Sequence, residues 1–254
     1  MYYQTLKINH QPAVQRIQIY RPEANNSIND QLTQELLSAL QAVEAEETVK
    51  VVILEGLPDV FCTGMDFQAI ANGELVDTKI SAHGYYNILK QMSQSSKVIL
   101  SLVRGQVQAG GVGFVAASDL VIADETTTFV LSELLFGLLP ACVLPFLIRR
   151  VGFQKAYRLS LTTQPISASE AYNWSLVDEY GSNPDKLISQ YIRRLRYLPS
   201  SGVKELKDYM NKLWIIQAET QNIAANKSAS LLGDPTIQAK IKRFAKEGLY
   251  PWQS

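Results

Sequence analysis

The stretch that decides the fold is KVILSLVRGQVQAGGVGFVAASDLVIA, residues 97–123. Lys97 to Val103 is an apolar, β-branched run of strand length, and Gly105 ends it. A glycine-rich segment, Gly105 to Gly113, then opens an apolar helix reaching Ala117, and Asp119 to Ala123 reads as the next strand. A helix between two short strands of this kind calls for parallel pairing with the helix packed on the sheet.

Outward from there the same logic repeats. Ala13 to Tyr20 alternates apolar and polar residues, the loop Pro22 to Asn29 is rich in turn formers, and Asn29 or Asp30 caps a helix. Leu32, Leu36, Leu37, Leu40 and Val43 recur at helical spacing, and Val49 to Leu54 is a β-branched run ended by Gly56. A helix around Tyr85 to Met92 precedes the central strand. After about Gly152 the strand signal disappears, leaving helices at Gln154 to Leu161, Ser167 to Trp174, Pro184 to Leu195, Ser201 to Ser228 and Thr236 to Glu247. The expectation is an α/β layer fold followed by a helical last third too thin to bury its own apolar faces, so self-association is expected.

The totals narrow the function classes. With 254 residues and 46% hydrophobic content the chain can build one large core. Lys+Arg and Asp+Glu both number 24, which gives no basic surplus for phosphate backbones, so nucleic acid is not an expected partner. The longest apolar runs, Leu134 to Leu139 and Ala141 to Ile148, are broken by Pro140 and closed by Arg149 and Arg150, well short of a membrane span. No apolar leader stands at Met1 to His10, and a cytoplasmic location is the expectation. Cys62 and Cys142 do not make a disulfide framework, and His10 and His83 lie far apart, so no metal site is expected.

Three segments carry candidate chemistry. Val60 to Phe67 (VFCTGMDF) runs from a strand into a helix, and Gly64 at that junction either projects the next N–H into a cavity or simply makes a turn. Gly105 to Gly113 suggests a dinucleotide loop, but it does not fit G-x-G-x-x-G and lacks the Lys-Ser/Thr of a phosphate loop, so tight helix packing is the preferred reading of its small residues. Glu133 interrupts the apolar stretch Phe129 to Phe136. A carboxyl buried there acquires a raised pKa, which suits proton transfer near neutral pH; the alternative is a Glu that caps a backbone group or points outward.

In this order and at these separations, the segments resemble the crotonase (enoyl-CoA hydratase) superfamily. Further marks are Arg21-Pro22 with Asn25 and Asn26, Asp119 with Ala123-Asp124, Gly137 with Pro140, and AYNWSLV at 171–177. The resemblance implies a spiral of β-β-α units over residues 1–195. It also implies a helical region, 196–254, that makes a trimer or hexamer and part of the active-site wall. By position, the backbone N–H groups of Met65 and Gly110 match the family's oxyanion-hole donors, and Glu133 matches the second of a hydratase's two carboxylates. The first carboxylate position falls on Gly113. Substrate contacts are expected at Cys62, Gly64, Asp66, Gly111, Gly113 and Leu138, and no cofactor is implied; helical spacing puts Tyr86 on one face with His83 and Lys90 a turn either side, which is either a further substrate contact or a solvated Tyr-Lys stripe.

Within the superfamily the chain most resembles the dehydratases of polyketide β-branching cassettes, on RPEANNSIND at 21–30, LEGLP at 54–58 and LSELLFGLLPACVLPFLIRR at 131–150. That likeness implies loss of water from 3-hydroxy-3-methylglutaryl on an acyl carrier protein, with Glu133 serving as both base and acid. Glu23, where many CoA-using relatives carry a basic residue, fits a carrier-borne substrate. A hydratase or isomerase acting on free acyl-CoA, and a non-catalytic binding protein of the same fold, are the alternatives.

Overall fold

The computed structural model describes residues 3–72, 78–213, 218–251 and 253. It opens with an antiparallel pair, β1 (Leu6–Gln11) and β2 (Val14–Ile19), followed by α1 (Asp30–Ala45). Asn29 is the residue that caps α1: its side chain accepts from Leu32 N at 2.8 Å, satisfying one of the donors that a helix start leaves open. Leu32, Leu36, Leu40 and Val43 then bury one face, as their spacing predicts.

Three β-β-α turns follow. In the first, β3 (Val51–Glu55) and β4 (Val60–Cys62) lead to α2 (Phe67–Ala71) and α3 (Thr78–Gln94). The second consists of β5 (Val98–Val103), β6 (Gln106–Gln108) and α4 (Gly110–Ala117). The third is β7 (Leu120–Asp124) and β8 (Thr128–Val130), a 3₁₀ turn (Glu133–Phe136), then α5 (Leu144–Val151) and α6 (Phe153–Thr162). The first strand of each turn joins one sheet and the second joins another. With β9 (Ile166–Ser167), α7 (Ala168–Asn173) and β10 (Glu179–Gly181), this gives a six-stranded sheet β1-β2-β3-β5-β7-β10 and a four-stranded sheet β4-β6-β8-β9.

The six-stranded sheet explains the unbroken apolar runs. Val51, Ile53, Val98, Leu100, Leu102 and Ile122 point to one face, where Ile188 of α8 (Pro184–Leu195) covers them. Val52, Leu54, Ile99, Val103 and Val121 point to the other, against α1, α3 and α4. Parallel strands covered on both faces need apolar residues at every position. Helix α4 is likewise buried all round, from Gly111 to Ala117.

The chain ends in α9 (Ser200–Lys212), α10 (Ala218–Leu232) and α11 (Pro235–Glu247). Asp234 caps α11 through bonds from Thr236 N and Ile237 N, and Ile237 and Ile241 bury against Ile70, Phe136, Leu138 and Leu232. Among the described residues, no helix is long and apolar enough to cross a membrane.

Two expectations change. The last third is not purely helical: β9 pairs antiparallel with β8 and β10 pairs parallel with β7. Strands of two and three residues carry too little periodicity to be read. The stretch 201–228 is two helices, and residues 214–217 lie outside the described part.

Candidate active site

A cavity of about 620 Å³ lies among the ends of β4 and β6, the 3₁₀ turn, α3 and α11. Its first wall is the loop after β4. Ile28 pairs with Met65 as an isolated bridge, Ile28 N donating to Gly64 O at 2.7 Å and Asp66 N donating to Ile28 O at 2.9 Å. This arrangement holds the loop from both sides of Met65 and leaves the Met65 N–H without a backbone carbonyl among the described residues.

The second wall is the start of α4. Ala109 N donates to Val130 O at 2.9 Å, anchoring the chain one residue before Gly110, the first residue of the helix. The two walls touch at Gly64, which has φ +83°: a Cβ there would lie 2.6 Å from Ala109 Cβ and 3.2 Å from Gly110 N. Only glycine takes that backbone conformation and that contact together without strain. The close approach brings the Met65 and Gly110 peptides to one corner of the cavity, at a helix start where partial positive charge collects.

Glu133 comes from the third wall. It begins the 3₁₀ turn after Ser132, and Gly137 closes that turn with φ +84°. Phe136, the last residue of the turn, is fixed edge-on between Phe67 at 5.1 Å and Phe244 at 5.2 Å, so α2 and α11 clamp the turn. The Glu133 Oε2 atom is buried and has no hydrogen-bond partner among the described residues. Burial pushes this carboxyl up to about 7, with the N–H groups of Glu133 and Ser132 pulling the other way.

The remaining carboxylates of the lining are engaged or exposed. Asp66 accepts from Ala69 N at 3.0 Å as the cap of α2 and from Arg21 Nη2 at 3.1 Å. Asp30 accepts from Ser81 Oγ at 2.6 Å, and Glu23 is exposed with an oxygen 3.7 Å from Arg21 Nε. Asp66 therefore shapes the loop, and its side chain has no lone oxygen for a ligand.

The sequence-predicted residues do not all reach the cavity. Met65, Asp66, Gly110, Glu133 and Leu138 line it. Cys62, Gly64, Gly111 and Gly113 are not among its lining residues. Cys62 is fully buried, its thiol pushed up to about 12 by burial, and Gly111 packs so tightly on it that a Cβ would sit 2.6 Å from Cys62 O. Gly113 is covered by Tyr85 and Val143.

Tyr86 is also outside the lining. It is 0% exposed, its ring lies 5.3 Å from Phe146, and its hydroxyl is buried without a partner among the described residues. Lys90, a turn later, donates to Gln221 Oε1 at 3.3 Å. The cavity tyrosine is Tyr85, whose hydroxyl donates to Gly110 O at 2.6 Å. Successive helix residues point about 100° apart, so one position on α3 separates a core residue from a cavity residue. Nothing local to the pair Tyr85-Tyr86 tells which faces in.

Comparison with known proteins agrees with this architecture. The profile of the enoyl-CoA hydratase/isomerase family matches residues 9–253. The chain is 45% identical to the bacillaene synthase dehydratase PksH of Bacillus subtilis, over 99% of this chain and 97% of that one. It is 26% identical to a 4-chlorobenzoyl coenzyme A dehalogenase of Arthrobacter, over 94% and 90% of the two chains. The crystal structure of the polyketide-biosynthesis enoyl-CoA hydratase PksH from Bacillus subtilis superposes with a TM-score of 0.92 at 42% identity, covering 98% of this chain and 100% of that one. The chain belongs to the enoyl-CoA hydratase/isomerase family, the crotonases, and is an enzyme of the hydratase-like lyase kind.

Proposed function

We propose that the enzyme removes water from 3-hydroxy-3-methylglutaryl carried as a thioester on an acyl carrier protein, giving 3-methylglutaconyl carrier protein during polyketide β-branching. The observation that carries this reading is Glu133: among the described carboxylates of the cavity, it alone has a buried oxygen without a partner, and its pKa of about 7 suits proton transfer in both directions.

The thioester oxygen sits in the corner between the Met65 and Gly110 N–H groups. Glu133 takes a proton from the α-carbon, and the negative charge moves to the thioester oxygen, where the two N–H groups stabilise it. The enolate electrons then form the C=C bond as the β C–O bond breaks. Glu133 returns its proton to the departing oxygen, which leaves as water. With Gly113 where a second carboxylate would stand, one group performs both transfers on one face of the substrate.

The name of the Bacillus subtilis relative, a dehydratase of bacillaene synthase, supports dehydration in a polyketide setting. Glu23 at the cavity supports a carrier over free CoA, since an acidic side chain repels a nucleotide 3′-phosphate. For the assembly we propose a homo-trimer or hexamer built on the region after Gly152, where Phe153, Tyr157, Leu206, Tyr209 and Leu213 are all more than half exposed. Phe244 and Tyr250 of the 196–254 region line the cavity of their own chain.

Mass spectrometry of a carrier protein loaded with 3-hydroxy-3-methylglutaryl, run beside the CoA thioester of the same acyl group and beside crotonyl-CoA, tests the substrate. Loss of water on the carrier, at least tenfold faster than on CoA, is expected. Rapid turnover of crotonyl-CoA with an inert carrier substrate would move the enzyme to free acyl-CoA metabolism.

A further inference from the structure

The space above Gly113 is filled from a different helix. An ideal Cβ on Gly113 would stand 1.9 Å from the Tyr85 hydroxyl oxygen and 3.1 Å from Tyr85 Cζ. The tip of the phenol therefore occupies the volume that the first atoms of any side chain at 113 would take. The ring is held edge-on against Phe114 at 5.5 Å, and Tyr85 lines the same cavity as Glu133 and Gly110. A hydroxyl has one proton and two lone pairs, and the Tyr85 proton is directed to Gly110 O at 2.6 Å. Toward the cavity the oxygen can therefore serve only as an acceptor.

The β-hydroxyl of the substrate is a donor until it leaves. We infer that Tyr85 is a substrate-contacting catalytic residue: its hydroxyl oxygen, standing in for the side chain absent at Gly113, accepts the hydrogen bond of the substrate's β-hydroxyl and turns that oxygen's lone pair toward Glu133. The inference rests on the dehydratase reading and adds a second participant to it. Tyr85 gains and loses no proton: the α-proton travels to the departing oxygen by way of Glu133, and the C–O electron pair leaves with water. Burial, with Cys142, Cys62 and Glu133 nearby, pushes the phenol well above its usual pKa, so it stays protonated through the cycle.

A purely structural Tyr85 would act through Gly110 and weaken every step that uses the oxyanion corner. A substrate-contacting one acts only when a β-hydroxyl is present. The test follows two reactions of wild type and Tyr85→Phe: water loss from carrier-bound 3-hydroxy-3-methylglutaryl, and exchange of α-hydrogen for deuterium in D2O on carrier-bound 3-methylglutaryl, which has no hydroxyl. The inference predicts that Tyr85→Phe slows dehydration roughly 10- to 100-fold, the worth of one hydrogen bond in a dry site, while exchange stays within about 3-fold of wild type. Gly113→Ala, whose Cβ displaces the hydroxyl without removing it, should show the same split. Equal losses in both reactions would overturn the contact in favour of a structural role, and unimpaired dehydration in either variant would overturn it outright. A wild-type enzyme inert in both reactions would instead sink the dehydratase reading and the inference with it.

Discussion

The two walls that face each other across the cavity handle polar groups in opposite ways. Along α4 the backbone approaches so closely that side chains are excluded: Gly111 packs on Cys62, Gly113 packs under Tyr85, and the Tyr85 hydroxyl donates to Gly110 O. Across from it, the turn Glu133–Phe136 presents a carboxylate with one oxygen unpartnered, while the aromatic contacts of Phe136 prevent the turn from relaxing. On the proposed mechanism, one wall offers fixed dipoles and the other a movable proton. A buried carboxylate oxygen without a partner is costly in any fold, so its presence beside the close approach of Gly64 and Gly110 fits the proposed proton chemistry.

The sharpest way to break this comparison is to neutralise the acidic wall. Glu133→Gln keeps the shape and removes the proton carrier, and turnover should fall by about 10³-fold or more with the far-UV circular dichroism unchanged. A variant with near-normal turnover would place the proton chemistry elsewhere. Next is the contact between loops: Gly64→Ala forces a Cβ to 2.6 Å from Ala109 Cβ at φ +83° and spreads the corner, for an expected loss of about 10²-fold in kcat with a smaller change in KM. Loss confined to KM would mean that the corner binds substrate without favouring the transition state.

The pH response is a smaller effect. Because Glu133 must be deprotonated to take the α-proton, kcat/KM should fall about tenfold per pH unit below about 7 and level off above it. Smallest is the effect on stability. The folded chain holds the Glu133 proton more tightly than the unfolded chain, whose ordinary value is 4.5. Folding stability from this group is therefore intact below pH 4.5 and is lost as pH rises to about 7. Glu133→Gln removes that slope and should be the more stable protein at pH 8, by at most about 3 kcal/mol, with no gain near pH 4. Matching denaturant curves at both pH values read it directly, and equal stabilities at pH 8 would count against an unpaired buried carboxyl.

The walls also differ in how much of them the sequence reveals. Glu133 stands out because charge in an apolar run is a local signal, and the strands β3, β5 and β7 are legible because burial on both faces makes every residue apolar. The α4 wall is legible only as a glycine pattern. What fills the space above Gly113 comes from Tyr85, and the decision between Tyr85 and Tyr86 depends on how α3 is rotated against α4, which no local periodicity states. Cys62 and Gly111 belong to sequence motifs of the site yet face the core, since the motif records close backbone approach as well as ligand contact. The strands β9 and β10 are invisible for another reason: they form because the sheet edges of β8 and β7 recruit them.

The claim at the centre of this account is that one carboxylate, on one face of the substrate, carries out both proton transfers. The most direct test runs the enzyme backwards, adding water to 3-methylglutaconyl carrier protein in D2O and reading the relative configuration of the new deuterium and hydroxyl by NMR of the released acid. Addition of both to the same face is the predicted result. Addition to opposite faces would require a second proton-transfer group across the substrate and would contradict the single role of Glu133.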